Sequence, residues 1–545
     1  MKKIRFARSL LTIALLAALL GVMLSLSACS RDELVFELTE EGAVLVDYNG
    51  KAAEVTIPSE WEGAKVTAIG DYAFANIQSL AKVTIPEGVT EIGTHAFASC
   101  QRLTEIVFPS SLEVIGNGCF RGCRSLASAD LSNAKVSVIP ESAFENCASL
   151  SSVSCGSPER IDSYAFSGCG SLEAFTVPES VRFLGDSVFE RCASIKDIVI
   201  GSSVESMGNN CFNATSASVS FSGTPALTKI TRGMFAGMVG GSIDIPASID
   251  SFEPYSFSDC AAFITIGSIS GGIPDGMFRG YEGEKFVIPD GVTFIGSEAF
   301  ADCLNLSELV IPKSVVDIGE RAFAKMSGEI IFEDGSAMTE IGESAFADYV
   351  GKKLTLPSSV TAIAPLAFED CKASIAFPEN SEMKHLGSES FSEWLGESVT
   401  LPKTLEKLGD YCFYDCTKLT SVILPDGIKA VPEGAFMNCA RLRSVEFGNS
   451  VEDIGYGAFS FCYVLKSVTL PDTLRFIGEN AFLSCEDLSE VRVGASLESI
   501  GKLAFGDCAS LSYLDYAGSR EDMASVILPE GGWSAVGTFI VRYRK

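Results

Sequence analysis

Twenty times over, the chain writes a phrase close to Ile-Gly-x-x-Ala-Phe-x-x-Cys-x-x-Leu. Its phenylalanines stand at 74, 97, 120, 144, 166, 189, 212, 235, 257, 278, 300, 323, 346, 368, 391, 413, 436, 459, 482 and 505, always 21 to 24 residues apart. A period of that length belongs to solenoids and overrides any reading by separate elements. One phrase cannot bury its own Ile, Phe and Leu, so neighbouring copies must do it for one another. The 545 residues, long enough for several ordinary domains, therefore read as a stacked array.

Each column of the repeat has a physical task. The residue five before the Phe is apolar in every copy, from Ile69 to Ile500. Glycine follows it in thirteen copies, whereas Pro140, Pro274 and Pro432 stand there in others. Proline fixes a negative φ, so this column calls for a tight, space-limited turn rather than a left-handed backbone. Small residues just before the Phe, Ala in twelve copies, imply close approach of neighbouring backbones. Phe482, Cys485 and Leu488 share a three-residue spacing that predicts one face of a short 3₁₀-like or helical turn. Alternating segments such as "SVTLP" (467–471) predict a short strand with one buried face. The expected fold is a β-rich α/β solenoid of about twenty coils, with one continuous parallel sheet and helical turns on the other face.

"IGTHAFASCQRLTEIVFP" (92–109), "IGSEAFADCLNLSELVIP" (295–312) and "IGYGAFSFCYVLKSVTLP" (454–471) resemble the leucine-rich repeat, specifically the BspA-like branch of bacterial surface proteins. Between Asn213 and Pro402 several coils depart from the pattern, as in "FRGYEGEKFVIP" (278–289) and "FSEWLGESVTLP" (391–402). There the Leu is lost, a Gly replaces the helical turn, and a local change of curvature is expected. Such an irregularity marks either a binding zone or drift between equivalent coil types. Residues 53–517 read as the solenoid. Residues 33–52, within an anchor and cap segment 29–52, read as a hairpin with an acidic turn, and 518–545 as a second cap.

The first 28 residues read as a signal peptide, with Lys2, Lys3, Arg5 and Arg8 ahead of the apolar run "LLTIALLAALLGVMLSLS" (10–27). A membrane-spanning anchor is the alternative for a run of that length. "LSAC" (26–29) resembles the bacterial lipobox, and the resemblance implies lipidation of Cys29 and attachment to the cell envelope. Ser30 is not the Asp that resembles an inner-membrane retention signal, so surface display is permitted.

Seventy acidic residues against 41 basic ones give a net charge of −29. Such a body repels phosphate backbones, which argues against a nucleic-acid partner. Thirteen of the eighteen cysteines stand three residues after a Phe, where other copies carry Met326, Tyr349 or Trp394. A column that accepts those residues is a packing site, and the thiols are expected to be free. Cys119/Cys123 and Cys412/Cys416 have zinc-like spacing but no histidines to complete a tetrahedral set, so no metal or other cofactor is expected. His95 and His385 are the sole imidazoles, and neither sits in a catalytic motif.

The sequence thus points to a non-catalytic, lipid-anchored surface protein that presents an extended scaffold. Its resemblance implies a protein partner, in host matrix, on a host cell surface or on other bacteria. A carbohydrate- or peptidoglycan-binding envelope module is the alternative, and a hydrolase the third reading.

Overall fold

The computed structural model describes residues 33–530 and 540–543. The signal-peptide reading of residues 1–28 and Cys29 lies outside the described residues, as do 531–539 and 544–545 of the second cap. Two compact units divide between Leu227 and Thr228. Each is a stack of parallel coils.

In the N-terminal unit, Leu34–Thr39 and Gly42–Tyr48 form an antiparallel hairpin. The second of these strands then pairs in parallel with Ala64–Ile69, and the stack proceeds from there. Each typical coil contributes two short strands rather than one. Lys82–Thr84 pairs in parallel with Glu105–Val107, and Glu91–Ile92 with Val114–Ile115. The first kind of strand buries its central residue and turns its flanks outward; the second buries its last residue. The C-terminal unit repeats this plan, from Lys229–Ile230 and Ser242–Ile245 onward. Its final described strand, Ile540–Tyr543, pairs in parallel with Tyr513–Tyr516.

The helical turn expected after each Phe is replaced by a chain of reverse turns, and the single sheet by two ladders. Among the described residues the sole α-helix is Arg520–Met523. The reason lies in the backbone on either side of the Phe. The residues two before and two after it have φ near +60° in all twenty coils, as at His95 (φ 55) and Ser99 (φ 59). A helix cannot contain such residues. Cys100 N–H still donates to the Phe97 carbonyl and Leu103 N–H to that of Cys100, so the three-residue spacing is real. Alternate amides turn instead to the next coil: His95, Phe97 and Ser99 donate to the carbonyls of Asn117, Cys119 and Arg121. The turn region is thereby a third ladder, which satisfies donors that water would otherwise have to meet.

Phenylalanine stacks run through each unit. From Phe74 to Phe212, ring centroids are 5.0–5.9 Å apart with planes within 12°. From Phe235 to Phe505 the spacing is 4.9–5.9 Å. Offset aromatic pairs of this kind contribute about 0.5–1.5 kcal/mol each beyond their buried area. The glycine column acts through space, as its alternation with proline suggests. A Cβ at Gly116 would lie 2.3 Å from Thr94 N in the preceding coil.

Candidate functional site

Strand residues that point outward are the natural contact surface of a stacked array. In the N-terminal unit they run Thr84, Val107, Asp130, Ser154 and Thr176, mixed and mostly polar. In the C-terminal unit three successive coils instead place Val287, Val310 and Ile331 there, 81%, 38% and 39% exposed. Val310 pairs with Ile331, and the bridge between Lys285 and Glu308 sets Val287 beside Val310. Val287 and Ile331 belong to coils that depart from the regular pattern, and Val310 to the regular coil between them.

Two grooves flank it. One of about 640 Å³ is lined by Lys285, Val287, Glu308 and Val310; the other, of about 560 Å³, by Glu329, Ile331, Asp334 and Lys353. Glu333 lines both. Its carboxylate accepts the Lys313 N–H at 3.0 Å, which fixes the rim. Glu308, Glu329 and Asp334 form no ion pair, because every salt bridge of the described residues lies elsewhere. The site is an apolar stripe set among carboxylates free to meet an incoming cation.

The residue types behind the irregular coils now have an explanation. Tyr281, Tyr349 and Trp394 replace the Cys and fill the room that the Leu leaves. Each ring meets its own coil's Phe edge-on, at 5.8–6.0 Å. Their polar tips donate to carbonyls of the preceding coil: Tyr281 to Ala262 at 3.2 Å, Tyr349 to Gly328 at 2.6 Å, Trp394 to Ala373 at 2.8 Å. A Cβ on Gly396 would fall 1.8 Å from the Trp394 ring, so that glycine is the space the indole occupies. Burial pushes the Tyr281 phenol up to about 12.

The seventeen cysteines of the described residues are free and buried. They are not simply apolar filler. Cys100, Cys123 and Cys147 donate from Sγ to the carbonyls of Phe74, Phe97 and Phe120 in the preceding coil, at 3.0–3.1 Å. Cys416, Cys439 and Cys462 do the same to Phe391, Phe413 and Phe436. Burial pushes the Cys100 thiol up to about 12 and those of Cys119 and Cys416 well above the usual range, so none of the three is a thiolate at neutral pH. Among the described residues no group of three or more His, Cys, Asp or Glu is placed to hold a metal ion.

His95 lies on the turn face of the N-terminal unit, its ring parallel to that of Tyr72. His385 begins the strand His385–Leu386 in the C-terminal unit and lines a groove with Glu406 and Asp410. Among the described residues neither imidazole hydrogen-bonds to a side chain that would make a nucleophile or an acid–base pair. No helix of the described residues is long and apolar enough to cross a membrane.

Coils built from a three-residue strand, a turn ladder and a buried Leu or its aromatic substitute define a leucine-rich-repeat protein. The BspA type leucine rich repeat region model matches residues 48–159, 139–264, 271–396 and 384–512, and the chain belongs to that family. Members of the family are typically binding scaffolds. No curated protein matches the sequence. Among solved structures, it is similar to a leucine rich cell surface protein from Faecalibacterium prausnitzii: 26% identity over 77% of this chain and 94% of that one, TM-score 0.35. A leucine-rich repeat protein from Bacteroides ovatus is 21% identical over 95% and 100%, TM-score 0.28. The pneumococcal vaccine antigen PcpA is 14% identical over 95% and 99%, TM-score 0.28.

Proposed function

We propose that this protein is a non-catalytic surface scaffold, lipid-anchored through Cys29, whose outward strand face binds a protein. The partner class is a host matrix or cell-surface protein, or a surface protein of another bacterium. The observation that carries this reading is the Val287–Val310–Ile331 stripe set among unpaired carboxylates. An apolar run edged by acid suits a partner segment that offers aliphatic side chains flanked by Lys or Arg. The net charge of −29 supports steering of such a basic partner and disfavours nucleic acid.

Two measurements test it. Binding of the detergent-solubilised full chain to a panel of purified matrix and surface proteins is expected to yield a partner whose affinity falls with salt. That affinity should drop at least tenfold in Val310→Glu, and not in Val107→Glu, an exposed valine of the N-terminal unit whose strand partner is Thr84. Equal binding by both variants overturns the assignment of the face. For the anchor, Cys29→Ala is expected to move the protein from the detergent-rich to the aqueous phase on cloud-point partition; an unmoved variant overturns it.

A further inference from the structure

A separate groove of about 480 Å³ lies on the turn face of the N-terminal unit. It runs between the two columns of left-handed residues, with Ala75 and Ala98 as its floor. One wall is the Tyr72–His95 pair, with ring centroids 5.1 Å apart and planes within 5°. Tyr72 is nevertheless 59% exposed. Asn76 and Ser99 form the other wall, and Gln101, Arg121 and Arg124 line it further along.

Three observations set this groove apart. First, its polar groups are unspent. Among the described residues, the Tyr72 hydroxyl, the Asn76 and Gln101 amides, the Ser99 hydroxyl and the Arg124 guanidinium have no side-chain hydrogen-bond partner, although they converge on one cavity. Second, its walls hold no carboxylate, whereas the strand-face grooves hold several. Arg121 is occupied by Glu145 at 3.0 Å, whereas Arg124 of the same wall has no ion pair among the described residues. Third, the His95 Nδ1 is shut off from solvent and has no partner among the described residues, and its ring is stacked on Tyr72. A buried polar atom left unsatisfied points to use rather than stability.

An exposed aromatic wall opposite amides and hydroxyls is the arrangement that takes a sugar ring. The electron-rich ring face attracts the polarised C–H bonds of a pyranose, while the opposite wall meets its hydroxyls. Coil spacing of about 4.8 Å is close to the step of a linear glycan, so successive sugars could lie over successive coils. A free guanidinium in a wall without acids selects a carboxylate. We propose that this groove binds a short linear glycan carrying an acidic sugar, its ring against Tyr72 and its carboxylate on Arg124.

The test titrates the full chain with short oligosaccharides ending in a uronic or sialic acid, and with neutral counterparts, by saturation-transfer NMR and calorimetry. Acidic glycans are expected to bind at least tenfold more tightly than neutral ones, and Arg124→Gln to abolish that preference. Tyr72→Asn, which keeps a residue type found in this left-handed column at Asn210 and Asn480, should weaken every glycan at least tenfold. Tyr164→Asn, in the same column without a stacked partner, and Val310→Glu on the strand face should change nothing. The last variant separates this site from the protein-binding reading. Absence of glycan binding, indifference to Tyr72→Asn, or displacement by inorganic phosphate or free acetate as readily as by glycan overturns the proposal. So does a preference for anionic vesicles.

Discussion

The coils around Cys439 and Trp394 close the same cross-section by different chemistry. In the first, a thiol and a leucine divide the interior: Cys439 donates to the Phe413 carbonyl, and Leu442 is fully buried beside it. In the second, one indole fills both places, and Gly396 supplies the clearance it needs. A divided closure spreads its stabilisation over two side chains, whereas an aromatic closure concentrates it in one ring and makes its glycine obligatory. The aromatic coils are also a residue shorter from Phe to Pro, and the apolar stripe begins on one of them, at Val287, and continues over the next two coils, closed by Cys303 and Met326.

This contrast can be broken most forcefully at the ring itself. Trp394→Ala is expected to cost about 3–5 kcal/mol, while Cys439→Ala costs about 1 kcal/mol, since only a small side chain and one hydrogen bond are lost. Denaturant midpoints together with local hydrogen exchange would check it, and equal losses would mean that the two closures are energetically alike. Next comes the glycine. Gly396→Ala should destabilise by about 1–3 kcal/mol through overpacking. Gly240→Ala, at the same offset in a coil closed by Met238, should be near neutral, because its Cβ would meet nothing within 4 Å.

A gain of about 1 kcal/mol is expected from Leu366→Gly, which relieves a left-handed leucine (φ 59); thermal unfolding would register it as a raised midpoint. The smallest effect is electrostatic. Glu369, Glu393 and Asp415 are held above the usual carboxylate range, first by burial and also by the neighbouring charge of Asp370. The folded chain therefore keeps these protons to higher pH than the unfolded chain. Stability from this ladder falls as pH rises from the ordinary carboxylate range through the raised values, and returns on acidification. Asp370→Asn should flatten that dependence, seen as thermal midpoints that vary less between acidic and neutral pH.

Much of this architecture is legible in the sequence because stacking is unforgiving. Phe, Cys and Ile recur at fixed offsets since each must meet its counterpart in the next coil, and the Gly-for-Pro exchange correctly points to space rather than to φ. The turn is less legible. Three-residue spacing is common to a 3₁₀ turn and to a run of reverse turns, and only the Asp, Asn and Gly residues two after the Phe, such as Asp302, Asn438 and Gly122, hint at left-handed backbone. The second strand is two residues long and carries no alternation to read. Val287, Val310 and Ile331 look like ordinary strand formers until register lays them side by side. Tyr72 and His95 are 23 residues apart, and only coil geometry makes them one surface.

Everything described rests on thiols and rings stacked in a dry interior, and a thiol count addresses that directly. Intact protein, never exposed to reductant, should react negligibly with a thiol reagent at neutral pH while folded. Denaturant should then release seventeen reactive thiols besides Cys29. Rapid labelling of the native protein, or recovery of cystines in place of those thiols, would contradict the stacked columns.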